Sequence, residues 1–100
     1  MTTSSPYQRR ATARDLLFFT TPALWPQRPF LPVVRRPLGS DDCECGVLYD
    51  AVAAGRYGLS ATVFLTNIFT LPPTEAEFLA LPKLAYDTAE EMAAAGWTVD

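Results

Sequence analysis

Ala61-Thr62-Val63-Phe64-Leu65-Thr66-Asn67-Ile68-Phe69 is the stretch whose reading decides the fold. It is dense in β-branched and aromatic residues, which suit a pleated, packed surface. Side chains alternate across a strand. Ala61, Val63, Leu65 and Phe69 therefore share one face, with Asn67 breaking the row, and Thr62, Phe64, Thr66 and Ile68 share the other. Large apolar groups on both faces describe a central strand covered on at least one side. A buried helix is the rival, because Phe64, Ile68 and Leu71 fall at helical spacing. The short run and its β-branching favour the strand. Leu71-Pro72-Pro73 ends it, since proline has no N–H to give to a ladder.

Working outward toward the N-terminus, residues 45–51 read as the preceding strand, with Cys45, Val47 and Tyr49 on one face and Gly46, Leu48 and Asp50 on the other. Residues 30–36 read as an edge strand bracketed by Pro32 and Pro37. The turns between these strands are Leu38-Gly39-Ser40-Asp41-Asp42 and Ala54-Gly55-Arg56-Tyr57-Gly58, the second with two glycines free to take positive φ. Strands joined this closely form an antiparallel meander. Residues 22–32 hold most of the prolines and should run extended, with Trp25 and Phe30 packing down onto the sheet. Residues 7–19 accommodate a helix that Thr20-Thr21-Pro22 would stop, or else residues 16–20 form a strand. Residues 1–6 are polar and read as a disordered tail.

Toward the C-terminus the composition turns helical. Thr74-Glu75-Ala76-Glu77 has the pattern of a capping box, and Pro82 should end that helix near Ala80. Asp87-Thr88-Ala89-Glu90-Glu91 offers a second start, with acids in the first turn where the helix dipole favours them. Gly96 is placed as a left-handed stop. Trp97-Thr98-Val99 then adds a short strand or folds Trp97 back onto the helix.

The chain of 100 residues, 49% hydrophobic and 19% charged, has the composition of one globular domain. It contains no histidine, which excludes His-based triads, His-ligated metals and His switches. Two cysteines are too few for a disulfide framework, so a reducing, cytoplasmic setting is expected. The apolar part of the uncharged stretch between Arg56 and Glu75 is too short to span a bilayer, and no membrane association is expected. Charge is unevenly distributed. Through Ser40 there are Arg9, Arg10, Arg14, Arg28, Arg35 and Arg36 against Asp15 alone, and the acids follow from Asp41 onward. Either the two halves neutralise each other or the arginines offer a basic face to an acidic partner.

No phosphate loop, dinucleotide fingerprint or nucleophile elbow is present, and neither a catalytic residue nor a cofactor is assigned. Cys43-Glu44-Cys45 places two sulfurs on one face of an extended segment, with Asp41 and Asp42 beside them. These are candidate metal ligands, although a structural zinc site wants four. The alternative is two small apolar residues at the start of a strand. Asp50, inside an apparent strand, needs a partner if it faces inward, and Arg35 or Arg36 is the expected one.

The sequence therefore specifies a single α+β domain, a three- to four-stranded antiparallel meander with helices packed on one face. The leading functional expectation is a non-enzymatic protein–protein interaction or accessory protein, with a homodimer among the options. Its candidate surface residues are Trp25, Arg28, Phe30, Arg35 and Arg36. The alternatives are nucleic-acid binding through the arginines and a metal-dependent activity at residues 41–45.

Overall fold

The computed structural model describes residues 12–37, 42–50 and 61–100. Helix α1 (Ala13–Thr20) opens on a full capping box: Thr12 Oγ1 accepts from the Asp15 amide, and the Asp15 carboxylate accepts from the Thr12 amide. It stops before Pro22, as the sequence indicates, and residues 16–20 are helix rather than strand. The proline-rich passage is less extended than expected. Pro22–Leu24 forms a short 3-10 turn, since a proline at its start sacrifices no hydrogen bond.

Four strands follow, β1 (Phe30–Arg35), β2 (Glu44–Tyr49), β3 (Thr62–Phe64) and β4 (Lys83–Ala85), and β5 (Thr98–Val99) closes the chain. Together they form a five-stranded sheet in the order β4-β3-β2-β1-β5, antiparallel throughout. The α+β class and the antiparallel meander stand. The fifth strand comes from Trp97-Thr98-Val99, which adds a strand and also buries Trp97 completely.

This last strand corrects the reading of β1 as an edge. β1 pairs with β2 along its length and with β5 at Val33↔Val99 and Val34↔Thr98. Pro32 is tolerated because of the ladder's two-residue repeat. The Asp50 amide donates to Pro29 O at 2.8 Å, so odd-numbered β1 residues bond to β2 and even-numbered ones face β5. The missing N–H of Pro32 therefore points to the place where β5 ends, while its carbonyl accepts from the Asp100 amide at 3.1 Å.

The organising stretch is also shorter than its apolar pattern suggests. Strand pairing covers Thr62–Phe64, and hydrogen bonds from Tyr86 N to Ala61 O and from Leu65 N to Pro82 O flank it. Then Asn67 takes over. Its side chain accepts from the Phe69 amide at 2.9 Å and caps a 3-10 turn over Ile68–Thr70. A short polar side chain that bonds local backbone competes with a ladder; the ladder has already stopped at Phe64, where Thr66 N turns back to Phe64 O at 3.0 Å, and the residue that broke the apolar row then commits the chain to a turn.

Helix α2 (Glu75–Leu79) uses Thr74 as expected, accepting from Glu77 N at 3.2 Å, and finishes before Pro82. Helix α3 (Ala89–Ala94) is capped by Thr88, with Glu91 Oε2 accepting from Asp87 N, and Gly96 has φ 102° just beyond it.

Both faces of the sheet are packed. On one, Leu31, Val33, Leu48 and Val63 meet Phe19 of α1, Met92 of α3, Trp25 and Trp97. Gly46 makes room for that Trp97 ring, because a Cβ there would lie 3.1 Å from it. On the opposite face Val47 and Phe64 meet Phe78 of α2, an additional layer beyond the single helical layer expected. The expected tail, both expected turns except Asp42, and Arg9, Arg10 and Asp41 lie outside the described residues.

Candidate functional site

The second face carries a groove of about 270 Å³ lined by Pro29, Phe30, Tyr49, Leu71, Pro72, Pro73, Thr74, Glu75 and Phe78. Antiparallel register builds its floor. Phe30 opens β1 and Tyr49 closes β2, and pairing sets them opposite each other with their rings stacked, centroids 5.4 Å apart. Phe78 from α2 meets both rings edge-on at 5.3 Å and packs on Phe64 at 4.3 Å. These are favourable aromatic geometries. Phe78 is buried, whereas Phe30 and Tyr49 are half-buried and leave ring surface open to the groove.

Pro72 and Pro73 form the facing wall. They follow Leu71, which is extended at φ −63° and ψ 140°, since the residue before a proline avoids the helical region. Glu75 sits in the first turn of α2, where the dipole suits a carboxylate, and accepts from the Tyr49 hydroxyl at 2.5 Å. That bond fixes the Tyr49 ring against the helix. The site is thus a trough of aromatic and proline surface with one acid at its rim. Two residues before Leu71, Phe69 is 86% exposed, the most open large apolar group among the described residues.

A second depression of about 220 Å³ lies between α1 and β5, lined by Thr12, Arg14, Asp15, Phe18, Val99 and Asp100. The Arg14 guanidinium lies 5.6 Å from the centre of the Phe18 ring. Asp15 is buried there and works structurally: its carboxylate takes the Thr12 amide, the Thr12 hydroxyl and the Val99 amide.

The residues singled out from sequence divide among different places. Trp25 lies in the core at 6% exposure, its indole donating to Phe18 O at 2.6 Å. Phe30 lines the groove. Arg28, next to Pro29 and about half exposed, is ion-paired to Asp50 at 3.1 Å. This replaces the expected Arg35 or Arg36 partnership, because antiparallel register puts the end of β2 opposite the start of β1. Arg35 lies at the other end. Its Nη2 donates to Glu44 Oε2 at 3.2 Å, its Nε lies 3.2 Å from Glu44 Oε1 as an ion pair without hydrogen-bond geometry, its Nη1 donates to Ala95 O at 3.3 Å, and the guanidinium covers the Trp97 ring at 4.7 Å. Arg36, Asp42, Cys43 and Cys45 are exposed. Among the described residues no group of three or more Cys, Asp and Glu is arranged to hold a metal ion.

Sequence reasoning missed Tyr49, Phe78, Pro72 and Pro73 as site residues. The proline pair was visible only as a strand terminator, and nothing local links it to Phe30. Among the described residues, no helix is long and apolar enough to cross a membrane. Comparison with protein-family models, curated proteins and solved structures yields no match.

Proposed function

We propose that the chain is a non-enzymatic interaction protein that docks an extended, proline-containing segment of a protein partner in the Phe30/Tyr49/Phe78 groove. The trough itself carries this reading: stacked aromatic rings faced by Pro72 and Pro73, with the Glu75 carboxylate at the rim. Proline-rich segments hold a preformed extended helix, lose little entropy on binding, and lay their rings into aromatic-lined grooves. A carboxylate at the rim complements a Lys or Arg beside the prolines and sets the direction of docking. The free thiols of Cys43 and Cys45 suit a reducing, cytoplasmic setting.

Nucleic-acid binding through the arginines draws less support, because Arg28 and Arg35 already face Asp50 and Glu44. It would show as complex formation that weakens steeply with salt.

The test is titration of labelled protein with a library of proline-rich peptides, with and without a flanking Arg, followed by NMR. Saturable shifts at Phe30, Tyr49 and Phe78, lost in Tyr49→Ala and weakened in Glu75→Gln for the Arg-bearing peptides, are expected. No shift at these rings with any member at millimolar peptide refutes the proposal.

A further inference from the structure

The uncovered end of the same sheet face carries two exposed free thiols, Cys43 and Cys45. Three observations bring them together as a unit. Cys43 precedes β2 by one residue and Cys45 is its second residue, so the pair stands on either side of Glu44. The Cys43 thiol donates to Glu44 O at 3.7 Å, which holds it beside the strand. Glu44 itself turns to the other face, where Arg35 holds both its carboxylate oxygens. The acid between the cysteines is therefore withdrawn from them.

We propose that Cys43 and Cys45 form a two-coordinate thiolate site for a soft monovalent cation, Cu(I). The donor set selects the metal. Zinc wants four ligands and calcium or magnesium six or more oxygens, whereas the described residues bring no third ligand into a metal-holding cluster here. Two thiolates alone satisfy a soft d10 ion, and soft sulfur donors favour Cu(I). The strand also keeps the thiols from closing on each other. Two residues of extended chain span about 6.6 Å, at the outer end of the range that a disulfide accepts.

Each thiol that binds gives up its proton, leaving a bis-thiolate copper complex of charge −1 with no change of oxidation state. Continuing the β1–β2 register one step past Arg35↔Glu44 sets the exposed Arg36 opposite Cys43, a cation placed to offset that charge.

The experiment offers the reduced full chain Cu(I) from a chromophoric bis-chelate under anaerobic conditions and reads metal transfer by loss of the chelate colour. One copper per chain, with sulfur-only coordination by X-ray absorption and an unchanged monomer-to-dimer ratio by light scattering, is the expected result. Cys43→Ser and Cys45→Ser should each weaken capture by ~100-fold or more, since removal of one donor ends chelation. Glu44→Gln should retain it. Circular dichroism confirms that each variant is folded, as both thiols are exposed. Failure to draw copper from the chelate, capture that survives either serine variant, or one copper shared between two chains would each overturn the proposal.

Discussion

Asp15 is an acid alone among arginines in the first forty residues, and its removal gives the sharpest test of the fold. It is 3% exposed, and its carboxylate accepts from the Thr12 amide at 2.7 Å, the Thr12 hydroxyl at 2.9 Å and the Val99 amide at 3.0 Å. One side chain thus closes the first helical turn and anchors the last strand, 84 residues away in sequence. A hydrogen bond to a charged group contributes roughly 1.5–3 kcal/mol when buried. Thr12 is exposed and recovers part of its loss from water. The half-buried Val99 amide recovers less. Asp15→Ala should therefore destabilise by about 3 kcal/mol, lowering the melting temperature by about 12–24 °C in a domain of this size. Asp15→Asn keeps one acceptor oxygen for Val99 but turns an NH2 group toward Thr12, and should cost about half as much. Urea and thermal denaturation at neutral pH measure both values. Amide exchange at Val99 then separates the strand anchor from the helix cap: it should accelerate in the alanine variant. A loss under about 1 kcal/mol in Asp15→Ala, or unchanged protection at Val99, would refute the assignment of Asp15 as the clasp between α1 and β5.

Three further outcomes follow from the packing. Gly46→Ala puts a methyl against Val63 and the Trp97 ring, neither of which has free space, so it should destabilise by about 1–3 kcal/mol in urea titration. Arg35→Lys loses the fork that spans both Glu44 oxygens and the planar stack on Trp97, and a drop of about 1–2 kcal/mol, read from the same titration, is expected despite the conserved charge. Phe69→Ala, at a residue 86% exposed, should leave the melting temperature within about 2 °C of the parent while weakening any peptide that reaches past Leu71.

The local grammar of the chain was legible because it is local. Thr74, Thr88 and Gly96 set helix ends through bonds to residues three positions away, Pro82 does so by lacking the N–H that would continue α2, and the structure places each where the pattern indicates. Asn67 shows the limit of periodicity. Its neighbours argue for a longer strand by burial, but its own side chain offers the backbone a nearer partner, and that competition is invisible to an apolar count. Partner choice was harder still. Asp50 meets Arg28 rather than Arg35 or Arg36 because of register, and register follows from the pairing of whole strands. The groove has the same origin: Phe30, Tyr49 and Phe78 are far apart in sequence and become one surface only when β1, β2 and α2 are assembled.

The two proposed sites are linked by a mismatch of lengths. Strand alternation sends Cys45, Val47 and Tyr49 of β2 to the same face of the sheet. A six-residue strand runs about 20 Å, while the five residues of α2 span about 7.5 Å. The helix can therefore cover one end and the middle, where Phe78 buries Val47 and backs the Tyr49 ring, and among the described residues it leaves the Cys45 end open. A partner segment docked at Tyr49 and a metal held at Cys45 would thus share one strand without sharing a side chain. Lengthening α2 cannot be used to separate them, because Pro82 blocks its extension; substitution at Tyr49 and at Cys45 can. Tyr49→Ala should abolish peptide shifts and leave copper capture intact, and Cys45→Ser should do the reverse. Loss of both activities in either variant would mean that the two ends of β2 act as one site.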